Sequence, residues 1–220
     1  MARPNSPVLA ESAGQSIPNA VADDRPGQLA KTAHPALVRA VSLHLDGQLT
    51  AALDHLREAQ RSGVREPALH AAMGHILCEL RNFAEGSEQY SKLLELEPEH
   101  RSAHFNKAVC LARLGKWSEA STSFERSLRI DPLRREANLG LGTCLLHLER
   151  SSDAFKAFSH YLAANPNHEE ALFGSAVALQ QMGRLREAKD IYLQILRQRP
   201  ASQESLINLT EISLAEQDYE

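Results

Sequence analysis

Four prolines, Pro98, Pro132, Pro166 and Pro200, stand 34 residues apart, and the same step aligns most of the chain. Small residues form two columns: Ala40, Gly74, Ala108, Gly142 and Ala176, and then Ala52, Gly86, Ala120, Ala154 and Ala188. Leu43, Leu77, Leu111, Leu145 and Leu179 make a bulky column, and Leu56, Tyr90, Phe124, Phe158 and Tyr192 make another. Leu94, Leu128, Leu162 and Leu196 complete the pattern. A period of this length marks repeated supersecondary units that bury their apolar faces only against one another.

Within Arg101–Arg134 the apolar residues keep helical spacing. Phe105, Ala108, Val109, Leu111, Ala112 and Leu114 fit one amphipathic helix, and Ala120, Phe124, Leu128 and Ile130 fit a second. Gly115 and Lys116 separate them, glycine being the usual residue just past a helix end. Ser118 is expected to cap the second helix and Glu119 to complement its dipole. Pro132 ends it, since proline has no N–H to donate and clashes with the preceding turn. Each unit is thus an antiparallel helix pair. Small residues such as Ala108 and Ala120 let paired helices approach to about 8–10 Å, with Phe124 filling the space beside the crossing.

This combination of two small residues, an aromatic four positions after the second and a closing proline (Ala108, Ala120, Phe124 and Pro132) resembles the tetratricopeptide repeat. The resemblance covers units 33–66, 67–100, 101–134, 135–168 and 169–202 and a partial unit 203–220. It implies an all-α solenoid, a right-handed superhelix of stacked helix pairs. The pattern departs from the family at Val64 (no closing proline), at Gly86 (no alanine) and at Ser151, where unit 101–134 has Trp117. Turns at Gly47, Gly115 and Gly183 become Arg81-Asn82 in the second unit and a polar Glu149-Arg150-Ser151-Ser152 in the fourth, with Ser152 or Asp153 as the expected cap. Gln203–Glu216 reads as the first helix of a sixth unit, acting as a single capping helix or continuing into a longer protein.

Residues 1–32 break the pattern. Pro4, Pro7, Pro18 and Pro26 come with glycines, serines and no sustained apolar face, the composition of a disordered arm. Val8-Leu9-Ala10 is too short for the core of a secretory signal. A net charge of −4 and a pI near 6.2 are not the basic footprint of a nucleic-acid binder. No apolar run reaches membrane-spanning length. Cys78, Cys110 and Cys144 form no CxxC pair and read as buried free thiols, fitting a reducing, cytoplasmic setting.

Catalysis has no candidate. Phosphate-binding, dinucleotide, zinc-protease and nucleophile-elbow motifs are all missing from the sequence, and Gly140 and Gly142 fall within a predicted helix. Among the 10 histidines, His75 pairs with Cys78 and His100 with His104 at helical spacing. Neither pair has a converging third ligand in sequence, so no metal and no cofactor are expected.

The family resemblance instead implies a concave groove lined by the first helix of each pair. Helical phase nominates Leu37, Val41 and His44; then Ala71, His75 and Glu79; and Phe105, Asn106, Val109 and Arg113. The later units contribute Leu139, Thr143 and His147, then Phe173, Val177, Gln180 and Gln181. The chaperone-binding members' carboxylate clamp of Lys, Asn and Arg is not matched, because Asn106 is flanked in the corresponding positions by Ala71, His75, Glu136 and Gly140. The asparagine ladder of glycosyltransferase-linked members also fails, having only Asn106 and Asn208. The expected function is a non-enzymatic scaffold binding a protein or peptide, an amphipathic helix or extended apolar segment in particular. The alternative is the regulatory or targeting segment of a larger enzyme, such as a glycosyltransferase, kinase or secretion component. Self-association through 203–220 is a further expectation.

Overall fold

The computed structural model describes residues 34–217, with side chains to Leu214. Every element in that range is an α-helix: α1 Pro35–Leu45, α2 Leu49–Arg61, α3 Pro67–Glu79, α4 Phe83–Leu96, α5 Ala103–Arg113, α6 Trp117–Ile130, α7 Glu136–His147, α8 Ser151–Leu162, α9 Glu169–Gln181, α10 Leu185–Gln198 and α11 Gln203–Gln217. The arm expected at 1–32 and the last residues of the partial unit, 218–220, lie outside the described residues. Two compact units divide the described chain after Pro132. One contains α1–α6 and the other α7–α11. Each is an array of the same helix pair, which places the protein in the all-α solenoid class.

One turn is repeated in every pair. At its end the first helix passes through a left-handed residue: Gly47, Arg81, Gly115, Glu149 and Gly183 have φ of +73°, +59°, +73°, +58° and +75°. The N–H of the following residue (Gln48, Asn82, Lys116, Arg150, Arg184) then donates to the carbonyl of Leu43, Leu77, Leu111, Leu145 or Leu179 at 2.8–2.9 Å. This is the Schellman closure. The leucine column therefore marks both a buried side chain and the backbone acceptor that folds the chain back. Arg81 and Glu149 accept the strain that glycine avoids elsewhere, because the turn and the leucine packing hold them there.

The second helices start differently from the expectation. α6 begins at Trp117 with Lys116 at the cap position and no side-chain cap. Ser118 lies within the first turn, and only Glu119 plays its expected electrostatic part there. Likewise Arg150 occupies the cap position of α8, and Asp153 instead accepts from its guanidinium at 2.9 Å. A short Schellman turn leaves no spare residue for a serine cap. Asn82 is the exception, since its Oδ1 accepts from the Glu85 N–H while its Nδ2 donates to the Glu85 carboxylate at 3.0 Å. The prolines behave as expected at three ends: Leu96, Ile130 and Gln198 are the last helical residues before Pro98, Pro132 and Pro200.

At the helix crossings the aromatic column meets the small columns directly. A Cβ on Gly74 would lie 2.8 Å from the Tyr90 ring, and one on Gly142 would lie 2.8 Å from the Phe158 ring. Gly174, on α9, closes on the same Phe158 ring from another helix, where an added Cβ would meet Cε2 at 2.7 Å. Phe124 packs edge-to-face on Phe105 with centroids 5.8 Å apart, and Tyr192 does so on Phe173 at 5.9 Å. Gly86 answers to sulfur: its missing Cβ would meet the Cys110 and Cys78 Sγ atoms at 3.3 and 3.4 Å.

Substituting glycine for Glu149 should relieve the left-handed strain. Thermal unfolding of Glu149→Gly should show a gain of about 1 kcal/mol over wild type, whereas Glu149→Ala should show none.

Candidate functional site

The nominated groove residues separate into two groups by depth. Leu37, Phe105, Asn106, Val109, Leu139, Thr143 and Val177 are buried, Phe105 and Val177 completely. Their side chains belong to packing: Phe105 faces Phe124, and the Thr143 hydroxyl donates to the Leu139 carbonyl at 3.1 Å. These positions are not available to a partner in this conformation, so the expected apolar centre of the groove is core.

The second group keeps contact with solvent. In 34–132 it comprises Val41, His44, Ala71, His75, Glu79 and Arg113, and in 133–217 it comprises His147, Phe173, Gln180 and Gln181. With the exception of Val41, Ala71 and Phe173, these stand at or near the C-terminal turns of the first helices. The accessible nominated residues are thus mostly polar: imidazoles, a carboxylate and a guanidinium in 34–132, and an imidazole and carboxamides in 133–217. Val38, Leu45, Leu80 and Leu114 add exposed apolar surface on or next to the first helices of 34–132.

In the first unit these groups converge. His44 on α1 and His75 on α3 each place Nε2 2.9 Å from the same Glu79 Oε1. Their rings lie 5.7 Å apart at centroid, tilted by 48°. His75 and Glu79 share one face of α3 at i, i+4, and α1 packs alongside α3 to deliver the third group. Burial holds the His75 pKa below the ordinary imidazole range, and the His44 ring pushes the same way, although Glu79 opposes both. Arg113 on α5 also has its pKa lowered, first by burial and then by the charge of Arg81.

In the second unit the polar groups are mostly engaged. The Tyr192 hydroxyl donates to Gln180 Oε1 at 3.0 Å and accepts from Asn208 Nδ2 at 3.1 Å. The Ser151 hydroxyl donates to Gln181 Oε1 at 2.6 Å, and burial lowers the His147 pKa. These bonds fix the carboxamides and leave Phe173 as the accessible apolar group beside them.

The cysteines are free thiols, with Cys110 and Cys144 buried and Cys78 half-buried. Cys78 and Cys110 sit together with Sγ atoms 2.8 Å apart, bridging α3 and α5. Their spacing of 32 residues gives no sign in the sequence that the two thiols meet. The hydrogen bond between the two sulfurs lowers the Cys78 pKa and raises that of Cys110, where burial adds to the rise. Burial alone pushes Cys144 up to about 12.

No curated protein matches the sequence. Solved structures match the fold. YrrB, a TPR protein with an unusual peptide-binding site, shares 17% identity at a TM-score of 0.73, covering 82% of this chain and 93% of YrrB. MamA from Desulfovibrio magneticus RS-1 shares 17% identity at 0.69, covering 76% of this chain and 95% of the MamA chain. A tetratricopeptide repeat protein from Parabacteroides merdae shares 19% at 0.69, with 81% and 71% covered. At these identities the likeness is one of fold. The sequence itself matches tetratricopeptide-repeat family models over residues 71–133 and 111–169 and again over 145–209, more than half of its length. The chain belongs to the tetratricopeptide-repeat family.

Proposed function

We propose that this protein is a non-enzymatic binding module that holds a protein or peptide partner, and that the first unit contacts it through the accessible ends of α1, α3 and α5. The observation that carries this reading is the set of accessible polar side chains there, His44, His75, Glu79 and Arg113, with Val41 38% exposed beside them. A repeat array supplies a rigid surface without catalytic groups, and this one adds chemistry suited to side-chain recognition. The partner segment is an extended peptide with an acidic residue for Arg113 and an apolar residue for Val41. That replaces the apolar helix expected from sequence, because Phe105 and Val109 are buried. YrrB's peptide-binding site lends general support through the shared fold. Three free thiols suit a reducing compartment such as the cytoplasm. No helix among the described residues is long and apolar enough to cross a membrane.

Peptides selected from a random library on the immobilised full-length chain should lose at least about tenfold in affinity, or about 1.4 kcal/mol, to Val41→Glu and Arg113→Ala. Lys92→Ala, on the second helix of its pair, should leave them unchanged. Equal affinity in all three variants would place the binding surface elsewhere.

A second reading rests on α11, where Leu206, Ile207 and Leu214 are exposed. This helix offers apolar surface that a second copy could cover. Sedimentation equilibrium should then show a dimer that Leu206→Glu with Ile207→Glu dissociates. A monomer at every concentration would remove self-association from the account.

A further inference from the structure

We propose that His44, His75 and Glu79 form a binding site for a divalent transition cation of the zinc class, on the open face where α1 lies beside α3. The three ligand atoms, one from each side chain, all lie within 4.8 Å of one another. Two imidazoles and one carboxylate are a donor set that suits zinc and its neighbours, and the hard cations calcium and magnesium would want oxygen instead. Tetrahedral coordination at metal–nitrogen and metal–oxygen distances of about 2.0–2.1 Å separates ligand atoms by roughly 3.3 Å. Both Nε2 atoms stand 2.9 Å from Glu79 Oε1 and no two of the three ligand atoms are more than 4.8 Å apart, so side-chain rotation alone would set the triad around an ion.

The scaffold favours this over a casual cluster. His75 and Glu79 are one helical turn apart on α3, and His44 reaches them from a packed neighbouring helix. All three therefore ride on rigid backbone. The side chains of His44, His75 and Glu79 are 31%, 25% and 37% exposed, which leaves an entry path and a fourth position for water or a partner's side chain. Support behind the ligands is incomplete, since His75 Nδ1 is buried without a hydrogen-bond partner. That missing outer contact weakens affinity relative to structural zinc centres.

The test is titration of the full chain with zinc chloride by calorimetry, and with cobalt(II) by visible absorption, no peptide being present. Its failure therefore leaves the peptide-binding reading untouched. One equivalent should bind, and cobalt should give the intense d–d bands of a low-coordinate site. His44→Ala and Glu79→Gln should each raise Kd more than about tenfold, with far-ultraviolet circular dichroism confirming that both remain helical. His104→Ala, which removes one member of the other closely spaced histidine pair, should leave Kd unchanged. The proposal is overturned by a lack of saturable binding up to ~1 mM zinc, or by zinc binding that His44→Ala and Glu79→Gln leave intact.

Discussion

The close approach of backbone to aromatic ring is the constraint on which the structure depends. Phe158 lies between Gly142 of its own helix pair and Gly174 of the next, and a methyl group on either would overlap the ring. Gly74 stands in the same relation to Tyr90. Glycine inside a helix costs about 1 kcal/mol relative to alanine, and the chain carries that cost where a ring must sit against the backbone. The helices can then approach closely, and the other buried columns fill around them.

The reversing turn supplies the second constraint. A left-handed residue and a hydrogen bond to the leucine carbonyl recur in all five pairs, even where arginine or glutamate must adopt the conformation. Constant geometry at the turn keeps pair length constant, and constant pair length brings first helix beside first helix. Their C-terminal turns gather on one face in each unit. The polar groups of the candidate site are therefore placed by the repeat itself: His44 and Glu79 meet because equivalent helices stack, and nothing local to either residue requires it.

The helix pairs were legible in the sequence because period, turn residues and buried columns all act within one unit. Burial across units was less so. Phe105 and Val109 fall at groove positions by helical phase, yet the structure buries both, Phe105 against Phe124 of its own pair; helical phase alone does not reveal how much of a face the partner helix and its neighbours will cover. The cation-binding triad was missed for a related reason. A search for ligands at helical spacing finds His75 and Glu79 but not His44, which arrives from the preceding unit. The signal that could have found it is positional: His44 is the penultimate residue of its helix and aligns with Cys78 at the 34-residue step, between His75 and Glu79 once the units are set side by side. The cap assignments failed for a different reason, since a Schellman turn already fixes the chain where a serine cap would act.

Function follows from where the rings are packed and where the polar groups are left. The aromatic columns take the crossings, and the accessible candidate-site groups are mostly imidazole, carboxylate, guanidinium and carboxamide, with aliphatic side chains such as Val41 exposed beside them. A surface of that chemistry suits recognition by charge and hydrogen bonding, on a frame whose rigidity comes from the crossings beneath it. The melting temperature of Gly174→Ala tests that frame most directly. Helix propensity alone would raise it, whereas a ring held against backbone from two helices predicts a loss of roughly 1–3 kcal/mol. A variant as stable as wild type, or more stable, would show that Phe158 has room to move and would contradict the packing on which the account rests.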